Sequence, residues 1–397
     1  MKSCIQFMLC LLYTTAVCAQ QNNFTPVKIN SATTVKDQFS SSTCWDFACT
    51  AMTESELLKT GNSELDLSET FTMFNTYIDK AAKYLQCRDR KYFTQGGIGE
   101  DMLKTIDNYG AMPQEIYPGI HQDTIMNKEA VMYPILKSYL DSILVNNPDT
   151  IPANWKNNFV KILEHYMGTP SENFMYNGKC YTAKTFAAEY IKSSSSDFIG
   201  LTSFTHHPYY SPFVIEVSHN YNNNVYNNLP LDEFITTVKS CIENGYTLIW
   251  DTDISNEGFQ KNKGFAMWAN GKNDTKALPD FEEKPYTNEI RQQLFKKGTT
   301  QNDHLMQITG LVKNAAGKEY FVVKNSWGNL GPFNGYIYVS IPYFAINTIS
   351  ILVNKKALPQ EVAIKLDLKN DLHQTEVMNK FAASGHESSS MTVESSK

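Results

Sequence analysis

The apolar periodicity of this chain changes character once, near Tyr246, and that change limits the folds open to it. Upstream, apolar residues recur every three to four positions. In 44–59 the stripe is Phe47, Ala48, Ala51, Met52, Ser55 and Leu58, with Gly61 as the stop and Ser42 or Thr43 as N-cap. Helical spacing continues in 68–85 and from the "QGGIGEDM" turn at 95–102 to Gly110. It returns in "KEAVMYPILKSYLDSILV", "ANWKNNFVKILEHYMG" and "TAKTFAAEYIK" between 127 and 192. Downstream, "YTLIWDTDI", "DHLMQITGLV", "KEYFVVKNSWG" and "GYIYVSI" read as strands. Helices first and strands after imply an α+β fold. "SSSSD" (193–197) breaks the chain, and "HNYNNNVYNNLP" (219–230) reads as a solvated loop before the helix "LDEFITTVKSCIENG".

Charge and termini remove several functional classes. The formal net charge is −6 and no Lys/Arg-rich run occurs, so a nucleic-acid partner is not expected. Residues 1–19 combine Lys2, the apolar "CIQFMLCLL" and "VCA" before Gln20, the pattern of a cleaved export signal. A lipid anchor on Cys18 is the weaker alternative, because Val17 is not the small residue that would precede it. No stretch is long and apolar enough for a stable membrane span. The expected location is therefore the periplasm or the extracellular space. The tail, 366–397, is low in apolar residues and reads as unstructured.

Residues that carry chemistry lie on both sides of the periodicity change. Cys44 stands at the start of the first helix, where the helix dipole lowers a thiol pKa. Asp46, two positions on, opposes that effect with a negative charge. By itself such a cysteine reads as structural, so a base must be found. "DHLMQITGLV" and "EYFVVKNSWG" flank the turn-like "KNAAGK" and form a hairpin. Pairing Val312 with Glu319 would set His304 opposite Trp327 and bring Asn325 diagonally onto the same face. An Asn oxygen there fixes the tautomer of an imidazole, and Trp327 shields the bond from water. Gln38, six positions before Cys44, offers an amide N–H for an oxyanion hole beside the cysteine's own N–H.

Taken together, Q-x5-C-W in "QFSSSTCW", the D-H strand, and "KNSWG" followed by "GYIYVS" resemble papain-fold cysteine peptidases. The resemblance implies a Cys44 nucleophile, a His304 acid/base, an Asn325 orienter and a Gln38 oxyanion donor. It also implies that Gly97, the second glycine of "QGG", contacts the substrate backbone. Cys44 and His304 are 260 positions apart, and the long interval is similar to the bleomycin hydrolase and aminopeptidase C branch. "YGAMPQEIYP", "MGTPSENFMYNGKCYTAKTFA", "NNLPLDEF", "ENGYTLIWDTDIS" and "VNKKALPQEV" carry that likeness over roughly 30–365, and "SFTHHPYYSPFVIEV" looks like exported Bacteroidetes-type members. The implied architecture is a papain-like domain over 20–365. It would have a helical N-terminal subdomain, a large helical insertion at about 127–245 and a β-rich, barrel-like C-terminal subdomain.

The implied activity is peptide-bond hydrolysis, with peptides as partners, aminopeptidase action and a homohexamer. Endopeptidase action, acyl transfer at the same site and a non-catalytic binding role are the alternatives. Three departures from the branch bear on them. The tail does not resemble the arm whose terminal carboxylate holds a substrate's amino group, Ser42 replaces a glycine, and Asp46 replaces an uncharged residue.

Removal of 1–19 leaves Cys44, Cys49, Cys87, Cys180 and Cys241, an odd number with at least one free thiol. The last three read as buried thiols. "THHP" (205–208) invites a metal, but adjacent histidines before a proline lack ligand spacing, and no acidic or cysteine ligand nearby completes a set. Neither a metal nor a cofactor is expected.

Overall fold

The computed structural model describes residues 24–61, 64–119, 122–147, 149–268 and 282–368, with the side chains of 122–128 left aside. The expected export signal and the tail from 369 onward lie outside the described residues. The N-terminal half is built on α1 (Cys44–Lys59), α2 (Glu69–Cys87) and α3 (Gly99–Tyr109), followed by α4 (Gln122–Asn146) and α5 (Trp155–Met167). Among the described residues no helix is long and apolar enough to cross a membrane. Helix α1 is buried along almost its whole circumference, Asp46 and Glu54 included. The one-sided stripe expected from its sequence understates this. The helix runs through the middle of the molecule, with α3 and α2 on one side and the sheet on the other.

That sheet has eleven strands. Its order is β5 (Pro212–Val214), β6 (Val225–Asn228), β4 (Phe198–Thr202), β13 (Thr348–Asn354), β7 (Leu248–Thr252), β10 (His304–Lys313), β11 (Glu319–Lys324), β12 (Tyr336–Ser340), β9 (Phe265–Ala266) and β8 (Phe259–Gln260). The eleventh, β1 (Thr25–Ile29), pairs with the distal half of β10 and comes from a segment whose polar sequence hides a strand. The sheet does not close into a barrel. The interval 127–245 is helical at first, with α6 (Ala183–Tyr190) after the small hairpin of β2 (Phe174–Tyr176) and β3 (Lys179–Tyr181). It then adds β4, β5 and β6 to one edge of the main sheet before α7 (Leu231–Glu243).

Three apolar clusters hold these layers. One joins the sheet to α7 and to α9 (Ile341–Asn347), around Phe234, Trp250, Phe321 and Phe344. A second lies between α1, α3 and the opposite sheet face, around Trp45, Met52, Leu305 and Leu352. A third, with Phe93, Phe159 and Leu136, binds α2, α4 and α5. The asparagine-rich stretch is not the solvated loop its composition suggests. Asn220, Asn224, Asn227 and Asn228 are buried, and Asn220 Nδ2 donates to the carbonyls of Ile215 (3.2 Å) and Asn224 (2.9 Å). A short amide side chain satisfies buried backbone groups that no regular element serves. Cys44, Cys49 and Cys241 are buried free thiols, whereas Cys87 and Cys180 are free and exposed, against the expectation that both are buried.

Candidate active site

Cys44 is the first residue of α1 and His304 the first of β10, and α1 packs directly on β10. The backbone of Leu305, the residue after His304, donates a hydrogen bond toward the Cys44 sulfur. His304 Nε2–H donates to Asn325 Oδ1 at 2.8 Å, which leaves the basic lone pair on Nδ1. Asn325 Oδ1 also accepts from the N–H of Ser326 at 2.8 Å, so the amide is held in one orientation. The half-buried Trp327 ring stacks on the imidazole (centroids 4.8 Å apart, planes at 27°), and the Lys261 ammonium lies 5.0 Å from its ring centre.

The hairpin reaches this geometry by a route that differs from the expected register. At the turn, Lys313 faces Glu319 and Val312 faces Tyr320, one residue away from the Val312–Glu319 pairing. A bulge between Ile308 and Gly310 then shifts the pairing by one, so that Gln307 faces Lys324. Extending that pairing sets His304 against Trp327, where the stack is found.

Gln38 arrives through a bridge between Asp37 and Trp327, with the Gln38 N–H donating to Ser326 O at 2.8 Å. Its Oε1 accepts from Ser326 Oγ (2.6 Å) and its Nε2 donates to Ser41 O (2.7 Å). One N–H of the amide remains for an oxyanion. Lys36 anchors this loop from behind, with Nζ 3.0 Å from Glu54, 2.7 Å from Glu69 and 2.6 Å from Asp66. Gly97 lies against the Trp45 ring so closely that a Cβ there would sit 2.8 Å from Cδ2.

Burial dominates the electrostatics. It pushes the Cys44 thiol up to about 12. Hydrogen bonding from the Leu305 and Trp45 backbone works against the rise, and the Asp251 and Asp303 carboxyls add to it. Burial also pushes the His304 imidazolium down to about 4, against the support of Asn325. Burial thus disfavours the charged form of each partner. The negative charge suggested by the sequence position of Asp46 is disfavoured in the fold. Burial and the neighbouring Glu69 raise its carboxyl well above the ordinary range, against smaller effects of Thr50 and Lys36. The neutral form is favoured there, which weakens the opposition to the helix dipole at Cys44.

Two residues of this neighbourhood escape sequence reasoning. Lys80, on α2, donates to Thr94 O (3.0 Å) and Gly96 O (2.6 Å), tying down the Gly96–Gly97 turn. Burial lowers its ammonium to about 8, against the carboxyls of Asp101 and Glu129. The signal for it was a lysine in the buried register Tyr77, Ala81, Tyr84. Glu129, on α4, accepts the Ser42 N–H at 2.6 Å and the Tyr77 hydroxyl. The inserted helix thus grips the loop leading into Cys44.

The Peptidase C1-like family model matches residues 8–376. The chain belongs to the Peptidase C1-like family. As such it is a papain-like cysteine peptidase, with relatives in the aminopeptidase C and bleomycin hydrolase branch. It is 23% identical to aminopeptidase C of Lactococcus lactis subsp. cremoris over 370 residues, covering 82% of each chain. It is 22% identical to bleomycin hydrolase of Mus musculus over 387 residues, covering 84% of this chain and 82% of that protein. The crystal structure of PepW from Lactobacillus rhamnosis HN001 superposes with a TM-score of 0.71 at 19% identity, over 87% of this chain and 85% of that one.

Proposed function

We propose that this papain-like peptidase is an exported aminopeptidase acting through Cys44, His304 and Asn325, with Gln38 as oxyanion donor. The observation that carries the reading is the His304 Nε2–H bond to Asn325 Oδ1 at 2.8 Å, under Trp327 and next to the start of the Cys44 helix. With Nε2 committed to Asn325, Nδ1 takes the Cys44 proton as sulfur attacks the peptide carbonyl. The negative oxygen is met by the Gln38 amide N–H and the Cys44 backbone N–H. Nδ1–H then protonates the leaving amine, and water hydrolyses the thioester with the imidazole again as base. Gly97 offers its backbone to the substrate chain. Aminopeptidase action follows from what the aminopeptidase C relatives are named for, and export follows from residues 1–19. A hexameric assembly belongs to the same reading, and light scattering on the purified protein measures it.

The test is labelling with an epoxide inhibitor of thiol peptidases followed by mass spectrometry. A single adduct on Cys44, absent from His304→Ala, is expected. No adduct, or equal labelling of that variant, would overturn the catalytic assignment in favour of a binding role. Preference for an N-blocked peptide amide over its free-amine counterpart would overturn the aminopeptidase assignment alone. Finding 1–19 still attached to protein recovered from the cell would overturn export by cleavage.

A further inference from the structure

A second constellation lies at the edge of the sheet, in the loop between β4 and β5 and the segment leaving β5. His207 Nε2 is 2.6 Å from Glu216 Oε1, and His206 Nε2 is 3.4 Å from Glu216 Oε2. One potential ligand atom from each of the three residues falls within 4.8 Å of the other two. A tetrahedral zinc-class ion with bonds of about 2.1 Å holds its ligand atoms about 3.4 Å apart, so small side-chain adjustments bring this set onto one ion. We infer that His206, His207 and Glu216 form a binding site for a divalent transition cation of the zinc class, with solvent completing the coordination.

The surroundings are built for this. A ligating imidazole needs its second nitrogen fixed by a partner. His206 Nδ1 meets the buried side chain of Gln292, on α8 (Asn288–Lys296), at 3.3 Å from Oε1 and 3.0 Å from Nε2. When His206 Nε2 ligates, Nδ1 carries the proton and donates to Oε1. When Nε2–H instead faces Glu216, Gln292 Nε2 donates to Nδ1. Gln292 Oε1 is itself set by the N–H (2.6 Å) and hydroxyl (3.1 Å) of Thr205. His207 is clamped by stacking on Phe213, with centroids 3.9 Å apart and planes at 19°.

Asn228, fully buried, holds the loop itself. Its Nδ2 donates to the carbonyls of Phe204 (2.8 Å), His207 (2.9 Å) and Pro208 (3.2 Å), and its Oδ1 accepts the Phe204 N–H (2.8 Å). The ligands are thus oriented before any ion arrives, and half-exposed Glu216 leaves an entry path. Sequence spacing concealed the set because its acidic member is nine positions beyond His207 and is folded back by β5.

The test is calorimetric titration of the protein with zinc chloride after its accessible cysteines, Cys87 and Cys180 among them, are blocked with iodoacetamide, so that exposed thiols do not compete. Saturable binding of one ion per chain and a rise in melting temperature are expected. His206→Ala, His207→Ala and Glu216→Gln should each weaken binding by about tenfold or more, as loss of a ligand or its support does. His165→Ala, remote and exposed, should leave it unchanged. Cobalt bound in place of zinc should give visible d–d bands. Zinc should also protect His206 and His207 from diethyl pyrocarbonate in the unaltered protein, a readout that needs no variant. Absence of saturable binding, equal binding by the three variants, or unprotected histidines at saturating zinc would overturn the site.

Discussion

Asp251→Asn isolates a large proton linkage close to the candidate nucleophile. Asp251 lies on β7, fully enclosed. Its Oδ2 accepts from Asn302 Nδ2 at 2.6 Å. Burial raises its carboxyl from 3.8 to about 8; the charges of Asp303 and Glu100 add to the rise, and hydrogen bonds from Asn302 and Ser350 oppose it. Because the folded value lies above the unfolded one, the folded chain keeps this proton through the window from about 4 to 8, where the unfolded chain has released it. Its contribution to stability is therefore most favourable below pH 4, falls as pH rises to 8, and is level beyond. At ~1.36 kcal/mol per pH unit the loss is roughly 4 kcal/mol by pH 7 and roughly 6 by pH 8. An unfolding entropy of ~2.1 cal/mol/K per residue over about 340 residues turns the pH 7 figure into ~6 °C of melting temperature. Asparagine copies the shape of the protonated acid and cannot ionise. Whatever the offset between the two proteins at pH 4, the melting temperature of Asp251→Asn should gain on the parent by several degrees by pH 8, read by differential scanning fluorimetry. A difference that stays flat or shrinks across that range would refute the protonated, desolvated carboxyl.

Asn325→Ala removes a hydrogen bond to a group that becomes charged, worth ~1.5–3 kcal/mol, so kcat/KM on an aminoacyl amide should fall by about 10- to 150-fold. Since Asn325 supports the imidazolium, the acid limb of the kcat/KM profile should also move below about 4, and unchanged rates in a folded variant would sink its orienting role. Gly97→Ala forces a methyl to 2.8 Å from the Trp45 ring, an overpacking cost of ~1–3 kcal/mol, and should lower the melting temperature and raise KM. A variant with parental melting and KM would show that the turn is not closely packed. Asp46→Asn should leave kcat/KM within about twofold and both pH limbs in place, because burial favours the neutral form of the native carboxyl, which asparagine copies. A downward move of the thiol limb would show that Asp46 is ionised after all.

What the sequence disclosed followed the reach of its local signals. The stop at Gly61, where φ is +79°, and the start of α1 at Cys44 are set by residues a few positions apart, and both are legible. The hairpin was legible as a hairpin, but its register was not, because the bulge between Ile308 and Gly310 answers to a third strand. A Cβ on Gly310 would lie 2.5 Å from Ile29 Cδ1 and 2.8 Å from the Lys28 carbonyl oxygen on β1. A glycine inside a strand is the mark of such a close approach, and "QITGLV" carried it. The environment of Asp46 escapes the sequence for a related reason. Its carboxyl is raised by enclosure between layers and by Glu69, and neither can be read from its sequence distance to Cys44. Lys80 and Glu129 belong to the same class, since their partners at Gly96 and Ser42 come from other elements. The asparagine stretch eludes composition, which reports average solvent preference, whereas buried Asn228 is spent on three carbonyls of one surface loop. Residue type therefore announced the chemistry at Cys44 and His304. Which other groups are charged, buried or within bonding reach was decided across the sheet, and the His206–His207–Glu216 cluster is the case where that matters most.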